Sequence, residues 1–408
     1  MQRLMNPVPR YIRHAALSTC RAQNPHLANG PELEDFIPTR RQRSDSTSAH
    51  EKARSMHPIY GILATIRQLV RMPKKTKPTQ LVDRFGRAHT YLRISLTERC
   101  NLRCRYCMPE DGVSLQPRED LLTSSEIVRL ANVFASAGVS RIRLTGGEPL
   151  LRRDVVDLVT KLRAVSGIES VGITTNGIML HTKLLALQQA GVDRLNISLD
   201  TLKPDKFAHI TRRQGFTRVM NSILAAEQLG FRPLKINCVV QRHINHDELV
   251  DFVAFTEKHA VDVRFIEWMP FDRNRWNDET FVSFKEMMKT IETGFPTVEK
   301  LPDAPNDTSK AFHVPGFRGQ FGFITSMSDH FCGSCNRLRL TADGNLKVCL
   351  FGNTEISLRD AMRDNIADQD LRDIIDAAVQ RKQFALGGHE DMYSLSNAEN
   401  RPMSLIGG

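Results

Sequence analysis

From about residue 81 onward the chain alternates between two hydrophobic rhythms. Runs with an apolar residue at every second position occupy 91–95, 141–145, 170–174, 194–198, 234–240 and 261–267. Period two is the geometry of a strand with one face on a core. Between these runs lie stretches with apolar residues three and four apart, at 124–137, 155–165, 184–190, 217–229 and 246–258. That spacing predicts helices with one buried face. Gly138, Gly191 and Gly230 close three of them, where a left-handed residue ends a helix. Six strand–helix alternations predict an α/β fold, a parallel sheet curled into a partial barrel of six units. The reading divides the chain into a leader (1–80), the barrel (81–310) and a C-terminal region (311–408).

The barrel prediction locates the chemistry, because such folds gather it at the C-terminal ends of strands. Distinctive residues stand there after each strand. They are a cysteine loop after the first, Thr145-Gly146-Gly147-Glu148-Pro149 after the second, Thr174 to Gly177 after the third, Ser198-Leu199-Asp200 after the fourth, and Glu267-Trp268-Met269-Pro270 after the sixth.

Charge changes the picture only once it is located. The net charge is +10, yet residues 1–90 carry 16 Lys and Arg against 6 Asp and Glu, which leaves 40 of each sign for the rest. The surplus belongs to the leader, so the folded body lacks the footprint of a general nucleic-acid surface. The first 31 residues contain no Asp or Glu but include Arg3, Arg10, Arg13 and Arg21, the composition of a mitochondrial transit peptide. Residues 32–80 are polar and broken, with a short amphipathic helix expected around 60–70. No apolar run reaches the about 18 residues that span a membrane.

Of eight cysteines, six fall into two tight triads, which is not the layout of an exported disulfide scaffold. Cys20 and Cys238 read as a bystander thiol and a small core residue. Cys100, Cys104 and Cys107 follow the spacing C-x3-C-x2-C, with Tyr106 before the third. Three thiolates in one loop can hold three corners of an iron–sulfur cube and leave the fourth iron open to a ligand. Zinc usually takes four Cys or His ligands, and no fourth stands nearby. The second triad is Cys332 and Cys335, then Cys349 after a thirteen-residue gap. The turn-forming run Thr341 to Asn345 predicts a hairpin that returns Cys349 to the pair. Here a zinc ribbon completed by His330 remains an alternative to a second open cluster.

Cations form the other constellation. Arg337 and Arg339 stand two apart, so an extended segment points both the same way. Arg93, Arg141, Arg143, Lys235 and Arg264 lie on or near predicted strands, where charge is costly unless an anion compensates it. Pairing with Asp262 or Glu267 would account for one or two of them.

The first triad and Gly146-Gly147-Glu148-Pro149 resemble the signature of the radical S-adenosylmethionine family, whose fold is a partial six-unit barrel. With the second triad, the run Cys335-Asn-Arg-Leu-Arg339 and the terminal Gly407-Gly408, residues 81–408 resemble the GTP 3′,8-cyclase branch of molybdenum cofactor biosynthesis. That resemblance implies two 4Fe–4S clusters, on Cys100, Cys104 and Cys107 and on Cys332, Cys335 and Cys349. It implies S-adenosylmethionine against Tyr106, Gly147, Ser198 and Met269, and GTP against Arg93, Arg141, Arg143, Thr174, Lys235, Arg264, Arg337, Leu338 and Arg339. It assigns catalytic importance to Arg93, Arg337, Arg339, Gly407 and Gly408, and makes cyclic pyranopterin monophosphate synthase the recipient of product. The electron donor and the oligomeric state, homodimer included, stay open. Two rivals are a peptide-modifying enzyme with auxiliary clusters, which would carry more cysteines, and a metal-knuckle nucleic-acid binder, which the balanced body charge disfavours.

Overall fold

The computed structural model describes residues 80–407, apart from 273, 275, 305 and 399. The expected leader and its short helix, and Gly408, lie outside the described residues.

Six strands form the centre: β1 (Tyr91–Ser95), β2 (Arg141–Thr145), β3 (Ser170–Thr175), β4 (Val192–Ser198), β5 (Leu234–Val240) and β6 (Val261–Glu267). They pair in chain order, and every pairing is parallel. The crossovers carry α1 (Ser124–Ser136), α2 (Val155–Arg163), α3 (Leu184–Gln189), the pair α4 (Pro204–Thr211) and α5 (Phe216–Gln228), and α6 (Leu249–Lys258). The expected helix over 246–258 begins as a short 3-10 turn, His246–Glu248, before the α-helix.

Local chemistry explains these elements. α1 starts at a capping box, in which Thr123 and Glu126 satisfy each other's backbone N–H groups, and it buries Ile127, Leu130, Ala131 and Phe134. On β1, Leu92 and Ile94 are fully buried and alternate with Tyr91, Arg93 and Ser95. Period two therefore gives the apolar residues to one face and leaves arginines on the other.

Past β6 come α7 (Phe284–Gly294), β7 (Glu299–Lys300), β8 (Lys310–His313), β9 (Gln320–Ile324), β10 (Arg337–Leu340), β11 (Asn345–Lys347) and β12 (Ile356–Ser357). Then follow α8 (Leu358–Arg363), α9 (Asp368–Gln380), α10 (Met392–Ser396) and α11 (Met403–Ile406). These residues extend the sheet at both edges: β9 pairs parallel with β6, and β10 pairs parallel with β1. The order is β12-β11-β10-β1-β2-β3-β4-β5-β6-β9-β8-β7. The β10–β11 hairpin closes through Thr341–Asn345, as the turn residues predict. Among the described residues no helix is long and apolar enough to cross a membrane.

Candidate active site

Strand register builds a cationic wall. Arg93 stands opposite Arg339 on one side and Arg143 on the other, while Tyr91 faces Arg337 and Arg141. Like charges in cross-strand register repel. The wall belongs to a cavity of about 780 Å3 whose described lining carries eight Lys and Arg side chains against four Asp and Glu. Arg93, Arg141, Arg143, Lys235, Arg264, Arg337 and Arg339 all line it, as does Arg194, a cation that sequence reading passed over. Its signal was available: Arg194, Asn196 and Ser198 alternate on one face of β4.

Each cation has its own environment. Arg143 reaches the Tyr91 hydroxyl and donates to Asn196 Oδ1 at 2.7 Å. Arg264 pairs with Asp262 at 2.8 Å, the carboxylate partner that sequence had offered. Glu267 accepts instead from the backbone of Phe284, Met327 and Ser328. Arg337 donates to the Asn306 carbonyl at 2.7 Å and lies over the Tyr91 and Phe331 rings. Burial, then repulsion from Arg264, brings Lys235 down to about 7. Burial, then Arg339, brings Arg93 down to about 9. Arg339 is lowered by burial too. A polyanion would reverse these costs. Leu338 is fully buried between its two arginines in sequence and does not line the cavity. Arg141, at the start of β2, is exposed.

The cysteine loop after β1 forms another wall: Cys100, Cys104, Tyr106 and Cys107 line the same cavity. Its shape is held from outside. Arg103 and Arg105 donate backbone N–H bonds to Thr211 and Ile210 at the end of α4. Asn176 reaches Asn101 Oδ1 at 2.7 Å. Tyr106 donates to Asp200 Oδ2 at 2.9 Å and packs with Ile210 and Trp268. Burial pushes the Asp200 carboxyl up to about 6. It also pushes the Cys100 thiol up to about 11, while Cys104 is raised first by its hydrogen bond with Cys107 and then by burial. Thiols so placed ionise readily only beside a metal's charge. Three of them in one loop facing a ligand-sized cavity suit a three-thiolate cluster.

The Gly146-Gly147 turn serves that loop directly. Gly147 and Glu148 donate backbone bonds to the carbonyls of Thr97 and Arg99, both at 2.7 Å. A Cβ on Gly147 would overlap the Arg99 carbonyl and stand 2.7 Å from the Glu98 oxygen. Backbone thus lies on backbone, which only glycine permits. Glu148 is wholly buried and accepts from Leu150 N, Thr175 Oγ1 and Asn176 N, tying the ends of β2 and β3 together. Burial still pushes its carboxyl up to about 7. Thr174, Ser198, Met269 and Gly407 also line the cavity.

The second triad sits behind the far wall. Phe331, Asn336, Arg337 and Leu350 line the cavity, and Cys332, Cys335 and Cys349 are their immediate chain neighbours. Cys332 and Cys349 pack against the apolar cluster that includes Phe271, Phe351 and Ile406. Cys332 is an electrostatic neighbour of both Cys335 and Cys349. Burial raises Cys332. At Cys335, burial acts upward too, but Lys382 and Arg337 outweigh it and hold the thiol at about 7. Lys382 donates to the Cys335 sulfur at 3.4 Å, and Arg87 donates to the Cys332 carbonyl at 2.7 Å. His330 is exposed, and among the described residues no three His, Cys, Asp or Glu converge as a single-ion site requires. Neither Lys382 nor Arg87 carries a local sequence signal; each acts on a residue far away in the chain.

A parallel strand–helix sheet whose first loop holds three cysteines defines the radical S-adenosylmethionine class, and residues 94–256 match the Radical SAM superfamily. Residues 261–387 match Molybdenum Cofactor Synthesis C. The chain is 45% identical to the GTP 3′,8-cyclase of Moorella thermoacetica over 327 residues, 80% of this chain and 99% of that protein. It is 54% identical to the mitochondrial GTP 3′,8-cyclase of Arabidopsis thaliana over 328 residues, 80% of this chain and 83% of that one. Molybdenum cofactor biosynthesis protein 1 of Mus musculus is 59% identical over 327 residues, 80% of this chain but 51% of that protein. The chain thus spans about half the length of several curated relatives it matches. It belongs to the GTP 3′,8-cyclase family of molybdenum cofactor biosynthesis, as the motifs had implied. The cofactors of that family are S-adenosylmethionine and 4Fe–4S clusters, and this chain offers thiol triads for two.

Proposed function

We propose that this chain is a GTP 3′,8-cyclase, joining the ribose 3′ carbon of GTP to C8 of its guanine as the first step of molybdenum cofactor biosynthesis. The observation that carries the proposal is a single cavity with the cysteine loop on one wall and a surplus of cations on another. The excess positive charge is of the size a triphosphate neutralises.

Cys100, Cys104 and Cys107 would hold one cluster, and Cys332, Cys335 and Cys349 a second. A 4Fe–4S cluster with S-adenosylmethionine supplies, when bound, radical chemistry able to remove hydrogen from an unactivated carbon. The chain's own residues do the rest. Arg93, Arg143, Lys235, Arg337 and Arg339 grip phosphate oxygens, with Arg141 and Arg264 at the margin, and fix the ribose by its triphosphate end. Thr174, whose buried hydroxyl has no hydrogen-bond partner among the described residues, offers a hydrogen bond to the nucleotide or to S-adenosylmethionine. Gly147, Ser198, Met269 and Tyr106 form the S-adenosylmethionine side of the cavity. Ile406 and Gly407 shield the reacting atoms from water. Leu338, fully buried and off the cavity, is the spacer between the two cavity-lining arginines.

The acid-poor, arginine-bearing start supports import into the mitochondrial matrix, and the name of the Arabidopsis relative agrees. Cyclic pyranopterin monophosphate synthase is the proposed recipient of product. The test is anaerobic reconstitution followed by metal analysis and turnover with S-adenosylmethionine and GTP. About eight irons per chain and GTP-dependent 5′-deoxyadenosine are expected. About two zinc ions and no turnover would overturn the proposal.

A further inference from the structure

Lys382 follows α9 and is 2% exposed, yet among the described residues no carboxylate is one of its hydrogen-bond partners. An ammonium has three donors, and three acceptors surround this one. They are His89 Nε2 at 2.9 Å, the Arg337 carbonyl at 3.0 Å and the Cys335 sulfur at 3.4 Å. Because an ammonium cannot accept, His89 accepts at Nε2 and carries its proton on Nδ1. His89 is itself 1% exposed, just ahead of β1, and Arg337 opens β10. The lysine is therefore pinned by two elements and directed at a third group, the sulfur.

A buried ammonium without a carboxylate is expensive, and anionic sulfur is what offsets it here. We infer that Lys382 is a positioning residue for the second cysteine triad, whose hydrogen bond to the Cys335 sulfur raises the reduction potential of the cluster held there. The inference rests on the two-cluster reading above. A cube with three thiolates is anionic, and each electron added makes it more so. Hydrogen bonds to sulfur and nearby positive charge favour the reduced state. Arg87 holds the Cys332 carbonyl on the same side, but its charge is paired with Asp83 at 2.6 Å, so Lys382 is the cation that bears on the triad there. Arg337 and Arg339 stand on the cavity face. Lys382 differs from these arginines in touching sulfur and not the space a nucleotide would fill.

The test uses the full chain carrying Cys100→Ala, Cys104→Ala and Cys107→Ala, so that only the second cluster is read. After anaerobic reconstitution, iron is counted and the cluster is titrated with dithionite under electron paramagnetic resonance. Lys382→Met is expected to keep the parent's about four irons. Its one-electron reduction equilibrium is expected to fall at least tenfold, a drop of about 59 mV. Lys382→Arg, which keeps the charge, is expected to recover most of that loss. Lys382→Gln separates support from tuning, because it retains a donor without the charge. Full iron with an unchanged potential in Lys382→Met overturns the inference. Loss of iron from both neutral variants overturns it as well, leaving Lys382 a structural support. A parent with no iron at this triad sinks the two-cluster reading, a result distinct from either.

Discussion

Gly407 gives the sharpest test of the cavity as an active site. It follows α11 with φ of 82°, in the left-handed region, and donates its N–H to Met403 O. A Cβ there would overlap the Thr145 hydroxyl and stand 3.1 Å from the Ser95 Cβ. Thr145 and Ser95 end β2 and β1, and each is 1% exposed, so neither can move aside cheaply. Gly407→Ala therefore meets two costs. A positive φ costs an L residue roughly 1–2 kcal/mol, and forcing a methyl into a packed site costs roughly 1–3 kcal/mol. The total of about 2–5 kcal/mol corresponds, at about 1.36 kcal/mol per tenfold, to a seated tail roughly 30-fold to several thousand-fold rarer.

The rest of the tail is anchored independently. Arg401 pairs with Asp343 at 3.1 Å and with Glu355 at 2.7 Å, and Asn400 reaches the Leu350 carbonyl at 3.3 Å. Only the last turn should lift, at the expense of Ile406, whose burial is worth about 1.5–3 kcal/mol. Because that hold must first be overcome, turnover should fall by less than the factor above, by up to about a few hundred-fold, while the melting temperature stays within a few degrees. The assay is the initial rate of GTP-dependent 5′-deoxyadenosine formation, with iron content as a control. Adding Thr145→Ala removes the worst overlap and should restore part of the rate. Turnover of Gly407→Ala within twofold of the parent would refute the claim that this residue must sit between the ends of β1 and β2.

Three further outcomes follow from the same geometry. Lys235 sits near 7 in the free cavity, so at pH 8 it is mostly neutral; a bound triphosphate favours its charged form, and nucleotide binding should take up as much as one proton. As pH falls through 7 that uptake should shrink, nearly vanishing by about pH 6, and calorimetry in two buffers of different ionisation enthalpy, on the parent and Lys235→Met, would reveal a wrong assignment as uptake that the variant retains. Gly147→Ala should lower cluster content and S-adenosylmethionine binding together, because its methyl meets the Arg99 carbonyl and pushes the cysteine loop away from the Gly146-Gly147 turn; iron analysis and equilibrium dialysis measure both, and normal values for both would contradict the backbone-contact argument. Glu148, raised to about 7 from an ordinary 4.5, binds its proton more tightly folded than unfolded, so its contribution holds below about pH 4.5 and is lost as pH rises through 7. The loss is roughly 3 kcal/mol in the ligand-free protein, and Glu148→Gln should flatten that part of the denaturation profile; an identical slope in both proteins would discount it.

Where sequence reading succeeded, a local rule decided the matter. β1, β2, β5 and β6 lie where alternation put them, because one face of each is covered by helices and a one-residue slip would expose every apolar side chain. β4 begins two residues early, at Val192, since exposed Asp193 and Arg194 interrupt the pattern. Two helices that matter were passed over for different reasons. α4 is short and opens on Pro204, which reads as a turn, yet its end holds the cysteine loop through Ile210 and Thr211. α9 was legible, with Leu371, Ile374, Ile375, Ala378 and Val379 on one buried face. The site divides likewise. The cysteines announce themselves by spacing, and the arginines by standing in strands. Their meeting depends on β10 joining β1 in parallel, a pairing across more than two hundred residues that no local pattern encodes. Lys382 is the extreme case: an unremarkable lysine after a helix, given its role by His89, Cys335 and Arg337 arriving from elsewhere. In this fold the cysteines proposed as cluster ligands are local and the groups that set their electrostatics are not, so motifs alone name the cofactor but leave its tuning unread.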